Sequence, residues 1–128
     1  MEDHEEHLMG WGDDILVAYF QIAKALASLD LPIQLPMNLV DATFIRDAQA
    51  AIVRTLTLIQ EQPLDDLIHT LLRQVLLDWL NAMDLTAIQL ASPKPWREEL
   101  FEYTVARTLA EADLALETIH NLRGDSEE

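Results

Sequence analysis

Two carboxylate–histidine pairs have a spacing that could bind a metal ion. Asp66 precedes His69 by three residues, and Glu117 precedes His120 by three. This pattern, repeated on two helices, supplies the ligands of iron-binding helical bundles. At about 100° per residue, however, both carboxylates fall outside the apolar stripes of their predicted helices. A metal-binding bundle with oxidase or storage activity is therefore kept as an alternative, and the main interpretation includes no cofactor.

The chain offers few other groups for catalysis. The serines are Ser28, Ser92 and Ser126, which lie near predicted helix ends or in the tail, and none is in a nucleophile elbow. There is no cysteine, which excludes disulfides and thiolate chemistry. No glycine-rich phosphate-binding loop is present. We therefore expect a protein that is not an enzyme.

The charge balance is the strongest indication of function. The 128 residues include 23 Asp and Glu against eight Lys and Arg, a net charge of −15, although half of the residues are apolar. Such a surface repels nucleic acid and anionic membranes and attracts basic proteins. We expect a binding module that regulates or inhibits a basic partner protein, as inhibitors, immunity proteins and secretion chaperones do; the alternative is an acidic surface that serves solubility alone. No direct contact with nucleic acid or membrane is expected.

Two rows of carboxylates could steer that partner or mimic the phosphates of nucleic acid. One row lies in the acidic leader and the start of the first helix, and the other follows the last helix. Two tryptophans beside chain breaks could anchor a partner or, in the simpler interpretation, staple a helix entry. The candidate partner-binding residues are Glu2, Asp3, Glu5, Glu6, Asp13, Asp14, Trp11, Trp96, Glu98 and Glu102, and the last row continues through Glu111, Asp113 and Glu117.

Apolar residues recur at spacings of three and four along most of the chain, which predicts an all-α fold. We expect a single domain of four to five helices joined by short loops, as in an up-down bundle. The predicted organisation is an acidic leader (1–12), which either is frayed or extends the first helix, a helical domain (13–124) and a charged tail (125–128). The predicted helices cover 13–28, a stretch from 38 or 41 to 62, 65–83 and 96–122, with a possible extra turn over 84–91.

Proline and aspartate mark the predicted helix ends. Pro32 and Pro36 interrupt the helical pattern, and Pro63 forces a turn before the third helix. Asp65 and Asp66 then suit that helix's first turn. Pro95 could occupy the first position of the last helix, and Gly124 could cap its end.

The first predicted helix is apolar on nearly all sides. Such a helix is either central in the core or the interface of a homodimer. The acidic N-terminus lacks the basic region of a secretory signal. The longest strongly apolar run, 15–20, is far shorter than the roughly 20 residues of a membrane span. We expect a cytoplasmic location.

Overall fold

The computed structural model describes residues 2–29, 35 and 44–123; for 2–13, 44, 45 and 123 it describes only the helical backbone. Four helices occupy this part of the chain: α1 (Glu2–Ser28), α2 (Phe44–Ile59), α3 (Asp66–Ala91) and α4 (Pro95–Arg123). The described ranges contain no strand, so the prediction of an all-α bundle is confirmed. Among the described helices, none has the length and apolar character needed to cross a membrane.

Two helices are longer than predicted. The first begins at Glu2 instead of Asp13, so the predicted leader continues the helix despite two glycines at 10 and 12. The third continues to Ala91 instead of ending near Met83. No Gly or Pro interrupts it before Pro93, so the stretch 84–91 extends α3 and is not a separate turn.

Within the described residues the second helix covers Phe44–Ile59, so it ends three residues before the predicted end at Gln62. The proposed start at Asn38 or Asp41, the break between Pro32 and Pro36, the cap at Gly124 and the tail lie outside the described residues.

Local hydrogen bonds define where α3 and α4 begin. The Asp65 carboxylate accepts a bond from the Leu67 N–H at 2.8 Å, as expected of a helix cap. Pro95 opens α4, as its position predicts. Between the helices, the buried Gln89 side-chain oxygen accepts the Lys94 N–H at 3.1 Å. This short, tied connection turns α4 back against α3, so the two helices are antiparallel neighbours.

The core lies where α4 packs against both α3 and α1. The contacts between α1 and α3 are fewer, and α2 contacts α3 alone among the described helices. The predicted stripes of α3 and α4 face this core, although Leu109 and Leu116 are only partly buried. The buried stripe residues on these two helices are Ile68, Leu71, Leu72, Val75, Leu76, Trp79, Phe101, Val105, Ala112 and Ile119.

Trp79 joins α3 to α1 at the centre of the core. Its indole Nε1–H donates a hydrogen bond to the Ile15 carbonyl at 3.2 Å. Its ring lies 5.4 Å from the ring of Tyr19, and both side chains are fully buried. Burial raises the pKa of Tyr19 to about 12, so the phenol stays neutral at physiological pH. The Trp79 side chain thus pairs its only hydrogen-bond donor while filling the space between α1 and α3.

Removing the indole N–H should weaken this junction. We expect Trp79→Phe to lower the free energy of unfolding by about 2 kcal/mol, because it removes a buried hydrogen bond and leaves unfilled volume. The measurement is urea unfolding followed by far-UV circular dichroism. Trp96→Phe is the matched control, since Trp96 is exposed, and it should change stability by less than about 0.5 kcal/mol. Equal effects of the two substitutions would contradict the assignment.

Candidate functional site

An acidic cleft lies between α1 and α4. Asp14 of α1 and Glu102 of α4 line a cavity of about 250 Å³, together with Val105, Ala106 and Leu109 of α4. Both carboxylate residues are exposed, whereas Val105 is buried and Leu109 is half-buried. The sequence placed these two carboxylates on separate rows, and the structure brings them together over an apolar floor.

This arrangement suits a long cationic side chain. Lysine and arginine lay their methylene stems along apolar surface while the charged head stays in a polar environment. In the acidic cleft, Val105 and Leu109 would contact the stem, and Asp14 and Glu102 would pair with the head. The chemistry of the site is therefore recognition of a positive charge carried on an apolar stem.

A row of carboxylates continues from the acidic cleft along α4. Its members are all exposed and fall within about 60° of one another around the helix, at about 100° per residue. From first to last they span about 27 Å at 1.5 Å per residue. We call these residues the carboxylate row: Glu99, Glu102, Asp113 and Glu117.

Two residues predicted for this row depart from it. Glu98 is half-buried, and Glu111 lies on the opposite flank of α4, towards Asp78 of α3. The prediction that Glu111 belongs to a solvent-facing row is therefore wrong. Periodicity places Glu111 about 180° from Glu102 around the helix, which explains why the two cannot share one surface.

Glu111 instead forms a cluster with Asp78 and Arg107 where α3 meets α4. The guanidinium of Arg107 is bidentate on Asp78, with Nε to Oδ2 at 3.2 Å and Nη2 to Oδ1 at 3.1 Å. The Oε1 atom of Glu111 is buried and meets no donor. Burial first, and then Asp78 through hydrogen bonding and charge, raise the pKa of Glu111 to about 7, while Arg107 opposes that shift.

The raised pKa of Glu111 favours a proton on this carboxyl group beside Asp78. Two charged carboxylates cannot hydrogen-bond to each other, whereas a protonated Glu111 can donate to Asp78. Asp78 already accepts two hydrogen bonds from Arg107, and the pKa of Glu111 is the one that is raised, so the proton favours Glu111. No sequence pattern distinguishes this pair among the chain's 23 carboxylates, because the pairing depends on how α3 and α4 align.

The metal-ligand candidates do not converge. Asp66, Glu117 and His120 are exposed, and His69 is half-buried. Among the described residues, no group of three or more His, Asp or Glu side chains is arranged to hold a metal ion. The facing of the two carboxylates agrees with the periodicity argument against a shared site.

Trp96 does not staple the start of α4. Its side chain is 60 % exposed, and the Arg97 guanidinium lies over its ring at 4.8 Å. The interpretation of Trp96 as a packed staple is therefore wrong. The remaining candidates on α1, whose side chains lie outside the described residues, are Glu2, Asp3, Glu5, Glu6, Trp11 and Asp13.

The described part of α1 has one face in the core and an apolar groove on another face. Its buried residues include Ile15, Tyr19, Ile22 and Leu26, all in the core. Val17 is 47 % exposed and borders a groove of about 390 Å³ lined by the described residues Val17, Phe20, Gln21, Ala23, Lys24 and Ala27. The central position predicted for this helix thus holds for one face, and the homodimer stays a prediction.

Comparison with protein-family models, curated proteins and solved structures gives no match for this chain.

The protonated carboxyl of Glu111 makes stability depend on pH. Its folded pKa of about 7 exceeds the ordinary value of 4.5, so its contribution is complete below about pH 4.5 and is lost as the pH rises through 7. Glu111→Gln, which mimics the protonated form, should match the parent chain at acidic pH. At pH 8 it should be more stable by about 1 kcal/mol, a value discounted for the solvent screening of a half-buried group.

The measurement is the free energy of unfolding in urea at several values between pH 5 and pH 8. Glu117→Gln is the control, because Glu117 is exposed on the same helix and should show a constant offset from the parent. If the free energy of unfolding of Glu111→Gln also differed from that of the parent by the same amount at every pH, the raised pKa of Glu111 would be contradicted.

Proposed function

We propose that this chain is a binding module for a basic protein, which it regulates or inhibits by covering that protein's positive surface. The observation that supports this proposal is the convergence of Asp14 and Glu102, from two helices, over the apolar floor of the acidic cleft. The proposal assigns the chain no catalytic activity and no metal cofactor.

The net charge explains how such a partner would be found. A charge of −15 on 128 residues creates a field that accelerates encounters with positively charged proteins. That attraction extends over a Debye length of about 8 Å at physiological salt. The field attracts every cation without distinction, so a defined site is needed to fix where the partner binds.

The acidic cleft is suited to fixing where the partner binds. Exposed ion pairs contribute only about 0.2–1 kcal/mol each, so carboxylates by themselves hold a partner weakly. A cationic side chain seated on Val105 and Leu109 would add burial of its apolar stem to the pairing of its charge. Charge and apolar contact together would give this site preference over the other carboxylates.

Mimicry of nucleic acid is a narrower version of the same proposal. The carboxylate row has a gap of about 16 Å between Glu102 and Asp113, at 1.5 Å per residue. A phosphate backbone presents charges far more closely than this. The spacing therefore favours a partner with a few separate basic side chains over one with a continuous phosphate-binding groove.

Neutralising the acidic cleft should weaken binding of a cationic probe. For the full chain with Asp14→Asn and Glu102→Gln, we expect the affinity for a hexa-arginine peptide to fall about tenfold, or about 1.4 kcal/mol. The physical reason is the loss of both charges that pair with one guanidinium. Isothermal titration calorimetry at two salt concentrations measures the change.

The matched control removes the same charge elsewhere. Asp47→Asn with Glu61→Gln neutralises two exposed carboxylates on or just after α2, which does not contact α4. This control should reduce affinity by no more than about twofold. Equal losses for both double variants would show diffuse attraction to the net charge and would overturn the site.

A further inference from the structure

The outer face of α4 carries an exposed apolar stripe. Its residues are Trp96, Leu100, Tyr103 and Leu114, with exposed fractions of 60, 43, 64 and 49 %. At about 100° per residue they fall within about 60° of one another, on the side of α4 away from the core. Trp96 and Leu114 are five helical turns apart, so the stripe extends for about 27 Å. We call these four residues the apolar stripe.

The carboxylate row lies beside both ends of the apolar stripe, with Glu99 and Glu102 near its start and Asp113 and Glu117 near Leu114. The two are about a quarter turn apart around α4, and the row is on the side that faces α1. Trp96 and Leu114 mark the ends of the stripe, and Glu99 and Glu117 mark those of the row. One helix thus presents an apolar surface with negative charge along one edge.

Arg107 lies within the angular range of the apolar stripe, between Tyr103 and Leu114, and Arg97 lies beside the stripe; both arginines are engaged within the chain. Arg107 lies over the Tyr103 ring at 5.6 Å and is forked onto Asp78. Arg97 lies over the Trp96 ring and donates a hydrogen bond to the Ser92 carbonyl. These contacts hold the two rings in place and direct the arginine charges to internal partners. The stripe therefore does not repel a basic partner as unpaired arginines would.

We infer that the apolar stripe docks an amphipathic α-helix of the basic partner; this inference rests on the proposed function. The partner helix would place apolar side chains at positions i, i+4, i+7 and i+11 on the stripe. Its lysines or arginines would face the carboxylate row, and one of them would enter the acidic cleft. A stripe of about 27 Å matches a helix of about 18 residues.

Charge complementarity favours this occupant over a second copy of the chain. If two copies met through the apolar stripe, each would bring its carboxylate row to the interface, adding repulsion between molecules of charge −15. A basic amphipathic helix instead neutralises the row while covering the stripe. The apolar stripe and the carboxylate row would then both contact the same helix of the partner.

The test compares two synthetic peptides of about 18 residues with identical composition in Leu, Lys, Ala and Gln. One places leucine at the positions given above with lysine along one edge, and the other has a scrambled order that abolishes this periodicity. Binding of each to the full chain is measured by calorimetry at about 0.15 M salt. We expect the periodic peptide to bind at least about tenfold more tightly.

Variants locate the contact on α4. Leu100→Ala with Tyr103→Ala should reduce the affinity of the periodic peptide to that of the scrambled one. Val53→Ala with Leu77→Ala, which alters exposed residues of α2 and α3, is the matched control and should have little effect. An unchanged affinity in the stripe variant would overturn the inference.

The outcomes separate this inference from the function on which it rests. If both peptides bind equally and Asp14→Asn with Glu102→Gln weakens both, the helical mode is wrong while the acidic cleft is retained. If neither peptide binds, both the inference and the proposed function are overturned.

Discussion

The contact between Trp79 and α1 joins the two helices against which α4 packs. The indole fills the space between α3 and α1 and donates its N–H to a main-chain carbonyl at 3.2 Å. With these two helices held together, α4 can bury one face against both of them. The opposite face of α4 must then lie towards solvent. The carboxylate row and the apolar stripe are both consequences of that single packing arrangement.

A charge of −15 works against compaction, and the fold limits that cost in three ways. Most described carboxylates stay at the surface, where water screens them, and Asp78 is paired with Arg107 on the neighbouring helix. At the same junction, Glu111 keeps its proton up to about neutral pH because burial and Asp78 raise its pKa. The remaining negative charge is left on surfaces where a positively charged partner can reach it.

Much of the fold can be predicted from apolar spacing, but the contacts between helices cannot. The stripes of α3 and α4 and the starts at Asp65 and Pro95 follow from local rules of periodicity and capping. The extension of α3 to Ala91 is missed because polar residues such as Asp84 weaken its pattern, although nothing there breaks a helix. The end of α3 is therefore better predicted from the next proline, Pro93, than from the spacing of its buried apolar residues.

In the candidate site, too, the single residues can be predicted from the sequence, whereas the contacts between helices cannot. Asp14 and Glu102 can each be chosen as exposed carboxylates, but their convergence depends on how α1 and α4 align. The pairing of Glu111 with Asp78 depends on the register of α3 and α4 and has no signature along the chain. Periodicity can nevertheless show that Glu111 and Glu102 face opposite ways on one helix. The angle between each carboxylate and the buried face of its helix is thus the signal in a single sequence that predicts which carboxylates can share a surface.

Paramagnetic NMR tests most directly whether a basic partner binds at the acidic cleft. A spin label on the end of a hexa-arginine peptide broadens the methyl signals of the residues that it approaches in the full chain. Binding at the acidic cleft predicts selective broadening of the Val105 and Leu109 methyl groups, with the Val53 signals of α2 unchanged. Equal broadening at Val53, Val105 and Leu109 would contradict binding at this site, because the peptide would then be held by the overall negative charge.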